Sequence, residues 1–223
     1  MTLNFNKFIC IISIILSITS HATSISTVDI FSPKKQTPNG LLIHTISKPE
    51  VFNINNDLTR YVGSFYVSVG ELLYLKGTIT DAFGVPIEGA IVKIWQTNSA
   101  GKYQTLLKEK DEFYDDNFVM SGTSKTDNLG RYGFKTIFPS YFGERAPHIN
   151  ILIHHPKFGE IQTEIYFDKH PLNNKDPHYT SYTEEDRKML TAKVKNIDDL
   201  QPEEGKIAIF NIVMDGVHSY KGF

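Results

Sequence analysis

The residue types that could do chemistry are concentrated in one stretch of the chain. Tyr141, Arg145 and His148 fall within eight residues, and Asn150 follows shortly after them. Tyr103 lies 38 residues before Tyr141, and both tyrosines fall where a loop is predicted to meet a strand. Ferric iron is a hard cation that favours anionic oxygen, so phenolates and an imidazole form a sensible ligand set for it. Spacing alone leaves a second interpretation open, because a strand histidine is more often hydrogen-bonded structure than a ligand, and a tyrosine is more often core.

The elements that must position these residues are predicted to be strands. In the run HIN, His148 and Asn150 point to one face of a strand and Ile149 points to the other. Residues 72–97 are rich in β-branched and aromatic side chains, and a turn over residues 81–86 divides them into two runs. This pattern suits a β-sandwich better than a helix-bearing fold.

The phrase KGTITDAFGVPIEGAIVKIW, residues 76–95, resembles the strand–turn–strand unit of transthyretin-like sandwiches. The fold class expected is therefore all-β, a transthyretin-like (prealbumin-like) Greek-key β-sandwich with long loops and at most one or two short helices. One such helix is predicted after Thr183, which is a good N-cap residue followed by acids in the first turn.

Length, charge and cysteine content limit the class of protein. The chain has 223 residues and a formal net charge of −2, which allows one well-buried domain and gives no sign of nucleic-acid binding. Cys10 is the only cysteine and lies in the predicted leader. The mature chain would therefore have no disulfide, and any metal site in it would use nitrogen and oxygen ligands.

The N-terminus has the features of a secretory signal peptide over residues 1–22. Lys7 precedes an apolar run from Phe8 to Ile18, and small residues follow it. That run is shorter than the ~20 residues that span a bilayer, so no stable membrane anchor is expected after cleavage. We therefore predict a secreted or periplasmic protein with a signal peptide over 1–22, an extended N-terminal arm over 23–60, and one domain over 61–223.

Several motifs, in matching order, resemble the intradiol ring-cleavage dioxygenases, the family of protocatechuate 3,4-dioxygenase and catechol 1,2-dioxygenase. The motifs are DLTR (57–60), GTITDAFGVPIEGA (77–90), IWQTNSAGKYQ (94–104), TDNLGRYGFKTIFPSY (126–141), RAPHI (145–149) and FNIVMDG (210–216). The resemblance implies a β-sandwich that holds non-haem Fe(III) by two tyrosines and two histidines. It also implies cleavage of a catechol-type ring by O2, with a small aromatic diol as the second substrate.

The family's site residues are carried over by position. Tyr103 matches the first ligand tyrosine, and Tyr141 matches the second, which the family releases when substrate binds. His148 matches the first ligand histidine. Arg145 matches the arginine that stabilises charge developing on the substrate ring. The resemblance thus implies Tyr103, Tyr141 and His148 as metal ligands, with Tyr141 and Arg145 in catalytic roles.

Two positions depart from the family pattern. Asn150 stands where the family has its second ligand histidine, and a neutral amide is a poorer iron ligand than imidazole. Either Asn150 binds weakly as the fourth metal ligand, or water takes its place, or iron is absent. Glu164 lies where iron-bearing chains often have a glutamine near the metal, so it is either a pocket residue or a solvent-facing strand glutamate.

Three hypotheses follow from the sequence. The first is an intradiol dioxygenase-like oxidoreductase that cleaves a catechol between its hydroxyl-bearing carbons. The second is a non-catalytic binding or assembly module, like an α-type chain, which pairs with a copy of itself or with a related chain. The third is a transthyretin-like structural domain. Asn150 is the residue that divides the first two.

Overall fold

Nine β-strands and two α-helices form the regular structure of the described part of this chain, which in the computed structural model comprises residues 33–40, 47–107, 111–197 and 205–215. The strands are β1 (Leu72–Asp81), β2 (Ile91–Gln96), β3 (Ser121–Lys125), β4 (Arg131–Ile137), β5 (His148–His155), β6 (Gly159–Phe167), β7 (Thr191–Asn196), β8 (Lys206–Ile209) and β9 (Ile212–Met214). The helices are α1 (Pro177–Ser181) and α2 (Glu184–Met189). The predicted signal peptide lies outside the described residues.

The strands form one path in the order β3-β2-β5-β6-β7-β8-β1-β4, and β9 pairs with the far end of β1. Pairing within β3-β2-β5-β6 is antiparallel throughout. The last two residues of β6 pair in parallel with the first two of β7, and this short contact joins the two groups of four strands. The result is a barrel-like sheet in which β5 and β6 are neighbouring interior strands.

The main core is built by apolar residues of both groups of strands. Its fully buried members include Leu73, Leu75, Ile79, Val92, Ile94, Ile149, Ile151, Ile153, Ile165 and Ile212. Along β5 the odd-numbered isoleucines enter this core, while His148 and Asn150 face the opposite side, as the alternation of a strand requires. A strand buried on both faces holds its side chains rigidly, which suits a functional site whose groups must keep fixed positions.

The mostly β architecture and the short helices are confirmed for the described residues. The Thr183 hydroxyl accepts a hydrogen bond from the Asp186 backbone N–H and caps α2, as predicted. The Greek-key, transthyretin-like connection stays a prediction. None of the described helices is long and apolar enough to cross a membrane.

The described part of the predicted N-terminal arm packs against the sheet near its end. Leu58 is fully buried in the main core, and its N–H donates to the Lys135 carbonyl. The neighbouring Asp57 forms an isolated bridge with the same residue. The predicted boundary at residue 60 therefore falls just after a segment that contacts the core.

Candidate functional site

A cavity of about 470 Å³ opens beside the strand that carries His148 and Asn150. It is lined by Ser47, Tyr103, Leu106, Phe142, Gly143, Glu144, Arg145, His148, Asn150, Glu164, Pro177 and His178. Ligand cavities in proteins have volumes of roughly 300–1,000 Å³ and combine apolar walls with a few placed polar groups. This cavity has both properties, because the rings of Tyr103 and Phe142 meet edge to face with centroids 5.3 Å apart and polar side chains lie beside them.

The turn after β2 delivers Tyr103 to the cavity. The Asn98 side chain accepts hydrogen bonds from the N–H groups of Ala100 and Lys102, which fixes the turn. Gly101 has φ +74°, and a Cβ at this position would lie 2.2 Å from the Tyr141 carbonyl oxygen. Only glycine allows this approach, so the Tyr103 loop is held against the chain that leads to Arg145.

Tyr103, His148 and Asn150 form one hydrogen-bonded chain at the buried end of the cavity. His148 Nδ1 lies 2.7 Å from the Ala146 carbonyl oxygen, which can only accept, so Nδ1 carries the proton and Nε2 has its lone pair free. The Tyr103 hydroxyl, 3.0 Å from Nε2, therefore donates to it. Asn150 Nδ2 donates to the Tyr103 oxygen at 3.0 Å. The predicted grouping of these three residues is observed.

The orientation of the Asn150 amide is set by its second hydrogen bond. Nδ2 also lies 3.2 Å from the backbone carbonyl oxygen of Trp95, which pairs with Asn150 across β2 and β5. A carbonyl oxygen needs a donor, so the NH2 group must lie on this side. Asn150 thus presents hydrogens to the Tyr103 oxygen and not its own amide oxygen.

Burial keeps these groups uncharged. It raises the pKa of Tyr103 to about 12, although the hydrogen bond from Asn150 acts in the opposite direction. Burial also lowers the pKa of His148, because the imidazolium would lose its hydration. At neutral pH the chain is therefore a neutral phenol between a neutral imidazole and an amide.

Arg145 lies at the other side of the cavity and is held by two carboxylates. Its Nε contacts both oxygens of Asp176 at 3.1 and 3.0 Å. Its Nη2 donates to Glu164 at 2.8 Å and to the Tyr166 hydroxyl at 2.8 Å. Tyr166 in turn donates to Glu164 at 2.7 Å. The guanidinium is thus saturated along one edge by groups of the protein itself.

The ion pairs decide the charge states in this cluster. Burial would raise the pKa of Glu164, but the hydrogen bond with His178 and the positive charge of Arg145 outweigh it and lower that pKa to about 2. Burial would lower the pKa of Arg145, but the charge of Glu164 raises it. Both groups are ionised at neutral pH. Glu164 is buried and lines the cavity, which confirms the first of its two interpretations.

Asp176, Tyr166 and His178 are site residues that the sequence reasoning missed. Asp176 is fully buried, accepts from the Ala146 N–H at 2.8 Å, and caps α1 through the N–H groups of His178 and Tyr179. The signal was present, because Asp-Pro is a strong helix start and Pro177 is the first helical residue. A capping aspartate explains α1, but its contact with Arg145 required the tertiary structure.

Tyr141 does not join the other predicted site residues. The residue is 57% exposed, and it is not among the residues that line the cavity. Phe142, the next residue, occupies the wall instead. The role of Tyr141 as a second metal ligand stays a prediction that this arrangement does not support.

An acid titration of stability checks the charge state assigned to Glu164. A carboxyl whose pKa is depressed from 4.5 to about 2 stabilises the folded state above pH ~4.5, and this contribution is lost as pH falls through about 2. We expect wild type to exceed Glu164→Gln by up to ~3 kcal/mol in free energy of unfolding at pH 6. The difference should shrink steadily between pH 4.5 and 2 in urea melts. A difference that is independent of pH would show that Glu164 is not ionised.

The fold and site together define the class of protein: a mostly β protein with a phenol, an imidazole and a guanidinium around one cavity. A family model described as "Dioxygenase" matches residues 49–216. The chain belongs to the intradiol ring-cleavage dioxygenase family.

Individual relatives agree with this assignment. The chain is 29% identical over 171 residues to the protocatechuate 3,4-dioxygenase beta chain of Burkholderia cepacia, covering 73% of this chain and 72% of that one. It is 30% identical over 124 residues to catechol 1,2-dioxygenase of Candida albicans, covering 48% of this chain and 40% of that one. The dioxygenase domain of a carbohydrate-binding fusion protein from Streptomyces sp. SirexAA-E has the same fold. Its TM-score is 0.63 at 20% identity, over 82% of this chain and 99% of that domain.

The family implies non-haem iron, and the donor atoms that the site offers decide whether it fits that ion. In the described ranges no three or more histidine, cysteine or carboxylate side chains are grouped to hold a metal. The grouped candidates for iron ligands are Tyr103, His148 and Asn150. Asn150 offers N–H groups that have no lone pair for a cation. Without a cation, Tyr103 is a protonated phenol at pH 7, because burial raises its pKa to about 12.

The donor set therefore does not complete a ferric site. The observed arrangement supplies one imidazole lone pair and one protonated phenol, and Tyr141 does not line the cavity.

Proposed function

We propose that this chain is a binding member of the intradiol dioxygenase family, which holds a small aromatic diol in the cavity without ferric iron. The observation that supports it is the Asn150 amide, which directs its N–H groups and not its oxygen at Tyr103, in a cavity with aromatic walls. The cavity is ample, since an apolar space of ~150 Å³ holds benzene in another protein. The transthyretin-like Greek-key sandwich, with a core drawn from both groups of strands, is the proposed scaffold.

The residues of the cavity can bind a diol by ordinary contacts. A planar ring would pack against Tyr103 and Phe142, whose rings form one wall. Diol hydroxyl groups could donate to Glu164, which lines the cavity as a carboxylate. In this proposal Arg145 acts by positioning Glu164 and the loop at Ala146, not by meeting a substrate anion.

Ring cleavage by O2 at non-haem Fe(III) is the second candidate. It is supported by the 3.0 Å distance between the Tyr103 oxygen and His148 Nε2, since the family resemblance implies both residues as ligands. It needs further ligands, for which the resemblance implies Tyr141, with Asn150 or water in the fourth position. The chain would then act as a non-haem iron oxidoreductase on a catechol.

Calorimetric titration of the chelator-treated protein with catechol tests the binding function. We expect saturable one-to-one binding without added metal. Leu106→Trp, at the cavity wall, should weaken it by about tenfold or more, which corresponds to about 1.4 kcal/mol. The matched control is Leu129→Trp, because Leu129 is 51% exposed and Leu106 is 47% exposed, but Leu129 does not line the cavity.

A parallel measurement on ferric-loaded protein separates the two candidates. Stoichiometric iron together with catechol-dependent oxygen uptake would establish ring cleavage and overturn the metal-free proposal. Absence of catechol binding in the metal-free protein would also overturn it.

Two further predictions remain proposals. Export to the periplasm or outside the cell is supported by the leader pattern of residues 1–22, and N-terminal sequencing of the mature protein tests it.

Assembly with a copy of itself or a related chain is supported by the relative whose name includes "beta chain", and light scattering tests it.

A further inference from the structure

The charged side chains around the cavity carry a net negative charge. Among the described residues that line it, Arg145 is the only lysine or arginine, while Glu144 and Glu164 are carboxylates. A third carboxylate, Asp176, lies directly behind Arg145. One positive charge therefore faces three negative ones.

Two of the three guanidinium nitrogens of Arg145 are already engaged by groups of the protein. Its Nε is shared between the two oxygens of Asp176, and its Nη2 between Glu164 and Tyr166. A ligand carboxylate that displaced Glu164 would leave that buried group as an uncompensated charge. A carboxylate that did not displace it would bind beside a like charge in a partly desolvated site, which disfavours binding.

We propose that the cavity selects uncharged or cationic aromatic diols and rejects those that carry a carboxylate, with Glu164 and Glu144 as the residues that determine this specificity. The inference rests on the proposed binding function and adds the chemical class of the ligand. Glu164 acts from the buried end of the cavity, where its oxygens can accept hydrogen bonds from ligand hydroxyl or ammonium groups. Glu144 is exposed and acts at the cavity opening.

The test compares three ligands that differ in one substituent: catechol, 3,4-dihydroxybenzylamine and 3,4-dihydroxybenzoate. Each is titrated calorimetrically at pH 7 into the chelator-treated wild-type chain. We expect catechol and the amine to bind on the order of ten- to a hundredfold more tightly than the benzoate, the range expected for one unscreened charge repulsion in a partly buried site.

Variants assign the discrimination to the two glutamates. Glu144→Gln and Glu164→Gln should each reduce the preference for catechol over the benzoate severalfold. Glu160→Gln is the matched control, because Glu160 lies on the same strand as Glu164 but has a 55% exposed side chain and does not line the cavity. Should Glu164→Gln fail to fold, Glu144→Gln still tests the inference, since its side chain is exposed.

The outcomes separate the two levels of the proposal. Equal binding of all three ligands, or tighter binding of the benzoate, overturns the specificity inference and leaves the binding function standing. A preference that both cavity variants leave unchanged overturns the assignment to the glutamates. If none of the three ligands binds to the wild type, both the binding function and the inference fail.

Discussion

Replacing Asn150 with histidine should convert this chain into one that binds ferric iron more tightly, by at least about tenfold, the lower end of what supporting groups contribute to metal sites. Asn150 Nδ2 lies 3.0 Å from the Tyr103 oxygen, so an imidazole at this position would face Tyr103 and His148. It would add a lone pair where the amide presents hydrogens. A competition titration against a ferric chelator measures the affinity, and the visible charge-transfer band of an iron-bound phenolate reports Tyr103.

Two controls identify the source of the change. Asn150→Ala removes the amide without supplying a ligand, and it should bind iron no better than wild type. Asn150→His combined with Tyr103→Phe keeps the new imidazole but should lose the visible band. Equal iron affinity of wild type and Asn150→His would mean that position 150 does not face the metal, and a strongly coloured wild type would contradict the metal-free arrangement.

Substituting Arg145 with methionine should cost about 3–5 kcal/mol in free energy of unfolding, the range for removing one partner of a buried ion pair. The substitution leaves the buried carboxylates of Glu164 and Asp176 without their cation. Asp176 has 0% side-chain exposure and Glu164 has 3%, so water cannot replace the lost contacts. Urea denaturation at pH 7 measures the change.

The matched control is Arg131→Met, because Arg131 also pairs with an aspartate, Asp127, but its side chain is 62% exposed. A surface pair of this kind contributes about 0–1 kcal/mol. Adding Glu164→Gln to Arg145→Met should recover part of the loss, since one unpaired charge is removed. If Arg145→Met costs no more than Arg131→Met, the buried cluster does not have the charge state assigned to it.

Asn150→His and Arg145→Met change different parts of the same cavity. The predicted gain of iron binding depends on the neutral chain of Tyr103, His148 and residue 150. The predicted loss of stability depends on the charged cluster around Arg145. The sites are linked through the loop at Ala146, whose carbonyl accepts from His148 and whose N–H donates to Asp176. Asp176 therefore helps to hold the tautomer of His148 without contacting it.

The sequence by itself determined the local features of this protein. The two-residue repeat of HIN placed His148 and Asn150 on one face of a strand, because alternation is a property of any extended chain. Thr183 marked the start of α2, because a helix N-terminus needs an acceptor for its free N–H groups. The motifs from Asp57 onward, taken in order, indicated the family, which the family model then matched over residues 49–216.

Only the tertiary structure decided which of these residues meet and in what state. The orientation of the Asn150 amide depends on the Trp95 carbonyl of a neighbouring strand, 55 residues away in sequence. The positive charge of Arg145 is compensated by Glu164 and Asp176, which come from a different strand and a helix cap. Tyr141 fitted the motif but lies outside the cavity. Hydrogen-bond direction, burial and charge compensation are set by contacts distant in sequence, and spacing along the chain does not encode them.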